Sequence, residues 1–266
     1  MFVRSLFAAV IAAAFSFGAV ASASAAPDAG TGSTSPNWAG YARTAPGGTA
    51  FDVVTASWVE PSAQGPACGQ PGASMGIAAI SVGLDGYGNQ QQERVGTSFF
   101  CSPRGAKSTA FYSVCPSGQA CHDFQVGNPR SPWAGCSVIP AAGDHITAAV
   151  YFRDGHFNFV FVDATQHAVC KAQADNAAPR SSAEATVDVP VPNGAAPLIN
   201  FGAVNFAGFF AHSDGDAQGE DEGNHDQGEA NGHTVAVSMT GPQSAVRAEP
   251  GKRHDSRFTV DWKASL

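Results

Sequence analysis

Two polar stretches in an otherwise apolar chain carry the residue types for acid–base chemistry. The first is Gln92-Glu93-Arg94, where the chain returns from the turn Asp85-Gly86-Tyr87-Gly88-Asn89. The second is Arg180-Ser-Ser-Ala-Glu184-Ala-Thr-Val-Asp188-Val-Pro190. Side chains alternate between faces along a strand, so Gln92 and Arg94 share one face and Glu93 takes the other. By the same rule Glu184 and Asp188, four apart, point the same way. A carboxylate on a sheet face opposite an amide or a guanidinium can activate a water and stabilise an oxyanion. The same residues also suit an ordinary exposed sheet face, and the polar strand after the turn is expected to face water. Gly and Asn in the turn supply the positive φ angles that a tight reversal needs.

Other motifs could also carry chemistry. Gly72-Ala73-Ser74-Met75-Gly76 fits the Gly-x-Ser-x-Gly pattern of hydrolases. That motif needs a strand before the serine and a helix after it; here a Pro-rich loop precedes and a strand follows, which argues against a serine nucleophile. Residues 212–234 hold seven Asp and Glu and three His with no Lys or Arg. Carboxylates in a loop can ligate a hard cation, but the order of an EF-hand is missing, and a solvated loop is the expectation. No zinc spacing, His-Glu-x-x-His motif or phosphate-cradling loop occurs.

The elements that must position these groups are strands. Phe51 to Trp58, Ile77 to Leu84, Ala110 to Val114, Ile146 to Phe152, Phe157 to Phe161, Ala183 to Val189, Leu198 to Phe206, Thr234 to Met239 and Phe258 to Trp262 read as strands from β-branched and aromatic content and period-two alternation. Asp154-Gly155 marks a hairpin and Gly143-Asp144 a turn. Cys115 to Trp133 reads as a long loop. With no stretch of helical periodicity, the residues give an all-β domain, a sandwich or a barrel.

Met1 to about Ala25 reads as a secretory signal peptide: Arg4, an apolar stretch from Leu6 to Val20, then Ala23-Ser24-Ala25. Residues 26–36 form a Gly/Ser/Thr/Pro segment expected to be flexible, and 37–266 one folded domain. No later run suits a membrane helix, so the expected location is extracellular or periplasmic. The net charge of -8 argues against nucleic acid or an anionic membrane as partner. Six cysteines in an exported chain imply disulfides, with Cys115 and Cys121 close enough to staple one loop and the connectivity otherwise open.

Six short motifs resemble the eqolisins, the glutamic endopeptidases. They are Asn37-Trp-Ala-Gly-Tyr41, Ser57-Trp-Val-Glu-Pro-Ser62, Val82-Gly-Leu-Asp-Gly86, Gly143-Asp144, Arg180-Ser-Ser-Ala-Glu184 and Asn200-Phe-Gly-Ala-Val-Asn-Phe206. They stand in the family's order and cover nearly the whole mature chain. The resemblance implies a sandwich of two antiparallel sheets, concanavalin- or jelly-roll-like, with a substrate cleft on one face. It also implies cleavage of proteins or peptides in acid by a glutamate and a glutamine acting on one water, with no metal and no cofactor; the chain is expected to be a monomer. In this chain the glutamine place falls on Arg94 and the glutamate place on Asp188, while Ser81 and Ser113 replace a cleft tryptophan and glutamate. Asp188 and Arg94 are the expected catalytic pair, with Asn37, Trp38, Asp85, Gln92 and Glu184 as substrate-binding residues. A slipped register would instead offer Gln92 and Glu184. Arg94 is expected to lower the proton affinity of Asp188. The alternative is an inactive relative that binds peptides or another extracellular polymer in the cleft.

Overall fold

Among the described residues fifteen strands form where apolar and β-branched residues alternate or run together. The computed structural model describes residues 32–44, 49–64, 68, 76–102, 105–126, 133, 136–190, 196–213 and 233–265. In chain order the strands are β1 (Ser33–Ser35), β2 (Trp38–Thr44), β3 (Phe51–Val59), β4 (Gly76–Leu84), β5 (Gln92–Ser102), β6 (Gly105–Cys115), β7 (His122–Gln125) and β8 (His145–Arg153). They continue with β9 (His156–Asp163), β10 (Ala168–Ala174), β11 (Ser182–Asp188), β12 (Ala203–Ser213), β13 (His233–Thr240), β14 (Val246–Pro250) and β15 (Phe258–Trp262). The only helical turn among the described residues is the 3-10 turn Pro242–Ser244.

Two sheets share one strand. The smaller runs β10-β9-β8-β3-β12 and the larger β12-β15-β14-β13-β2-β11-β4-β5-β6-β7. The first part of β12 pairs with β15 and the second with β3, with the register shifting between Ala207 and Phe210. Gly208 sits there at φ +64, a conformation open to glycine. A bulge at that point bends the strand from one sheet into the other. Pairing is antiparallel except for β1, which lies parallel to β13. The result is the expected all-β sandwich of two sheets.

The inner faces pack on each other. Phe157, Phe159 and Phe161 on β9 are fully buried, as their alternation requires, with Ile80, Val82 and Leu84 on β4 and Ala183, Ala185 and Val187 on β11. Tyr112 on β6 stacks on Phe159 at 4.8 Å and so joins the two layers. Disulfides link Cys68–Cys101, Cys115–Cys121 and Cys136–Cys170.

Four local expectations are corrected. Residues 115–133 are not all loop: the Cys115–Cys121 bridge closes a turn that returns the chain as β7 against β6. The strand expected from Leu198 starts at Ala203, because Gly202 (φ +69) redirects the chain; Leu198 makes one bridge to Ile77. The segment 26–36 contains β1, ordered by β13. In the turn after β4 the positive φ angles fall on Asp85, Gly86 and Gly88, and not on Asn89. Residues 1–31, Ser74 and residues 214–232 of the acidic loop lie outside the described residues.

Candidate active site

The outer face of β2, β11, β4 and β5 has a floor of small residues. Gly40, Gly83, Gly96, Ala79 and Ala42 lie on it by register. A Cβ on Gly96 would stand 1.9 Å from the Ile80 carbonyl oxygen, and one on Gly40 2.2 Å from that of Ala185. Only glycine lets these strands approach so closely. The long polar side chains around that floor therefore lie down across it.

Arg94 pairs in register with Gly83, which pairs with Glu184; Asp188 pairs with Trp38 on one side and Ala79 on the other. Arg94 Nη1 donates to Asp188 Oδ2 at 2.5 Å, and the two side chains are only 9% and 6% exposed. The polar strand after the turn is thus buried rather than wet, because its guanidinium finds a carboxylate inside the face. Arg94 also lies over the Phe111 ring, 5.4 Å from its centre. Asp188 Oδ1 and Arg94 Nε have no protein hydrogen-bond partner. The Ser81 and Thr186 hydroxyls stand 3.3 Å apart beside them.

The proton affinity of Asp188 is raised, not lowered. Loss of water is the largest influence; Arg94 pulls the other way by charge and hydrogen bond, Asp123 pushes up and Ser81 down. Desolvation of a carboxylate at this depth outweighs a single ion pair. The reading from Arg94 alone left out the depth of burial.

Glu184 shares the face of Asp188 as expected. Its Oε1 accepts the Tyr87 N–H at 3.0 Å, its Oε2 has no protein partner, and burial raises it well above the usual carboxyl range. Asp85 is committed to the turn, accepting from Asn89 Nδ2 at 2.8 Å, Arg180 N at 2.6 Å, Ser181 N at 2.8 Å and Ser181 Oγ at 3.0 Å. Gln92 is half-buried with its amide packed on Gly86. Trp38 meets the Tyr87 ring edge-on at 6.4 Å. The Asn37 carbonyl accepts the Val189 N–H at 2.8 Å, and its side-chain Oδ1 is buried without a protein partner. The arrangement therefore joins Arg94 to Asp188 directly and leaves Gln92 and Glu184 along the same face, with no register slip.

Sequence reasoning passed over Thr186, Phe111, Asp123 and Tyr87. Period-two alternation on β11 points to Thr186 between Glu184 and Asp188. Phe111 and Asp123 enter through the β5-β6-β7 register, where Arg94 pairs with Ser113 and Ser113 with Asp123; nothing local in the sequence sets that register. Among the described residues no group of three His, Cys, Asp or Glu is placed to hold a metal ion.

The profile of the Peptidase A4 family matches residues 36–248. No curated protein matches the chain. Among solved structures, scytalido-glutamic peptidase with a transition state analog inhibitor is similar, with a TM-score of 0.59 and 17% identity over 86% of this chain and 98% of that one. Aspergilloglutamic peptidase from Aspergillus niger gives a TM-score of 0.49 and 15% identity over 71% of this chain and 99% of that one. At this identity the first of these matches speaks for a shared fold.

Proposed function

The chain belongs to the Peptidase A4 family, and from that premise we propose that it is an exported endopeptidase, acting on proteins in acid, whose base is Asp188 and whose oxyanion stabiliser is Arg94. The observation that carries this reading is the buried contact between Arg94 Nη1 and Asp188 Oδ2, with the other carboxylate oxygen unpartnered. Three disulfides support export. No helix among the described residues is long and apolar enough to cross a membrane.

Each atom has a role in the proposed reaction. A water held at Asp188 Oδ1 attacks the scissile carbonyl while Oδ1 takes its proton. The Arg94 guanidinium, fixed before reaction by Asp188 and Phe111, faces the negative charge that develops on the carbonyl oxygen. Asp188 then returns the proton to the leaving amide nitrogen, the C–N bond breaks, and acid and amine products result. Burial raises the proton affinity of Asp188, which makes it a better base than an ordinary ion-paired aspartate. Trp38 and Asn37 beside Asp188, and Glu184 and Gln92 further along, would line an extended peptide.

A second reading, peptide binding without turnover, draws on the same ion pair: a guanidinium already engaged by the base has less to give an oxyanion. One experiment separates them. The purified mature chain is incubated with an unfolded protein substrate from about pH 2 to pH 7, beside Asp188→Asn and the double change Arg94→Gln with Asp188→Glu. Acid-optimal cleavage lost in Asp188→Asn supports catalysis. No cleavage by the native chain, with cleavage gained in the double variant, supports an intact cleft used for binding.

A further inference from the structure

Three carboxyl groups meet at one end of the outer face, where β4 ends and β5 and β11 begin. Glu93 is fully buried on the core side of β5, with Asn176 Nδ2 donating to its Oε1 at 2.5 Å and Oε2 unpartnered. Glu184 sits on the cleft side, with the Tyr87 N–H on Oε1 and Oε2 again unpartnered. Asp85 lies between them at the end of β4, saturated by donors from Asn89, Arg180 and Ser181.

Two segments close over this cluster. The turn 85–91 is held to β11 through Tyr87 N on Glu184 and through Ser182 Oγ, which accepts from Tyr87 N and donates to Tyr87 O, both at 3.3 Å. The extended segment 175–181 is held by Asn176 on Glu93, by Gln91 Nε2 on the Ala177 carbonyl at 2.8 Å, and by Asp85. The Tyr87 ring touches Trp38, so the turn forms the end wall of the cleft.

We infer that Glu93 and Glu184 are positioning residues for this wall: as neutral acids they hold the turn 85–91 and the segment 175–181 shut on the sheet, and as carboxylates beside Asp85 they release both. The reading of this face as a peptide cleft is taken from the proposed function; the latch itself is a property of the fold. Its logic is charge. Neutral, each acid keeps its one hydrogen bond from Asn176 or Tyr87 and buries no charge. Ionised, the two would put three negative charges in one desolvated place, where Glu93 and Glu184 each have an oxygen with no donor. The cations nearest in register are committed elsewhere. Arg94 faces Asp188, Arg43 Nη1 donates to the Ala211 carbonyl, and Arg180 pairs with Asp52. Asp175, in the segment itself, pairs with His156. Burial, opposed by Asn176 and aided by Asp85, pushes Glu93 up to about 8, and burial raises Glu184 well above the usual carboxyl range, so both stay neutral in acid and the Glu93 half of the latch opens as pH rises through about 8.

Amide hydrogen exchange of the full mature chain, corrected for the intrinsic pH dependence, tests this without any substrate. Above about pH 8 the protection of segment 175–181 is expected to fall by up to about tenfold per pH unit as Glu93 ionises, that of segment 85–91 is expected to fall with the same slope where Glu184 ionises, and β8 and β9 keep theirs throughout. In Glu93→Gln with Glu184→Gln, which imitates the neutral acids, both segments are expected to stay protected over the same range. If the double variant does not fold, Glu93→Gln alone should flatten the loss at 175–181. Equal loss in native and variant chains, or loss that strikes β8 and β9 together with the two segments, overturns the inference.

Discussion

Glu60 is a carboxyl placed between the two sheets, and changing it to glutamine should remove one defined part of the pH dependence of stability. Its Oε2 accepts from Thr97 Oγ1 at 2.7 Å and Trp58 Nε1 at 3.2 Å, and Ser108 Oγ donates to Oε1 at 3.2 Å. Burial is the main influence and raises the group from 4.5 to about 7, against these three hydrogen bonds. An acid whose folded value is raised holds its proton better folded than unfolded. The stability it contributes is complete below 4.5 and is lost as pH rises through 7. At 1.36 kcal/mol per unit the loss is about 3 kcal/mol, a large share of a total of roughly 5–15 kcal/mol. Glutamine keeps one acceptor for Thr97 and Trp58, and its amide can donate to Ser108, whose hydroxyl then accepts. Glu60→Gln should therefore match the native chain in acid to within about 1 kcal/mol. Urea unfolding followed by tryptophan fluorescence at about pH 4 and about pH 8 gives both values. The native chain should lose about 3 kcal/mol more than Glu60→Gln between them. Equal losses, or a native chain more stable at the higher pH, would refute the reasoning.

Other perturbations test the remaining framework. Asp188→Ala leaves the Arg94 guanidinium buried without its partner and should destabilise by about 3–5 kcal/mol in denaturant unfolding, with Arg94→Gln added to it restoring part of that. Gly96→Ala places a methyl where the Ile80 carbonyl already stands, so the chain should fail to give a cooperative thermal transition. Replacing Cys136 and Cys170 by serine should cost about 4 kcal/mol and replacing Cys115 and Cys121 about 2 kcal/mol, since the loops differ in length (separations of 34 and 6). The two melting curves should show that order.

The sequence carried the strands whose alternation is strong and local. The Phe157-Phe159-Phe161 row and the common face of Glu184 and Asp188 follow from period two alone. The Arg94–Asp188 contact followed from motif order, since nothing local tells β5 that β11 lies two strands away. The edge strand β7 was hidden because four residues against a disulfide-closed turn look like loop. The start of β12 was misplaced because Phe201 is apolar for a packing reason, not a strand one. Depth of burial was the least legible quantity, and it reversed the expected direction for Asp188. A polar triplet such as Gln92-Glu93-Arg94 reads as solvated until the covering layers are known.

The sharing of β12 also governs the order in which the molecule can assemble. That strand completes the smaller sheet through β3, some 150 residues earlier in the chain, and joins the larger through β15, near the C-terminus. Strand β2, on the face that carries Arg94 and Asp188, waits likewise for β11 and β13. A nascent chain stopped short of β13 holds every strand of the smaller sheet but lacks the β13, β14 and β15 that join β2 to β12 in the larger, so the larger sheet is completed only by the last strands, through pairings of long range that form slowly.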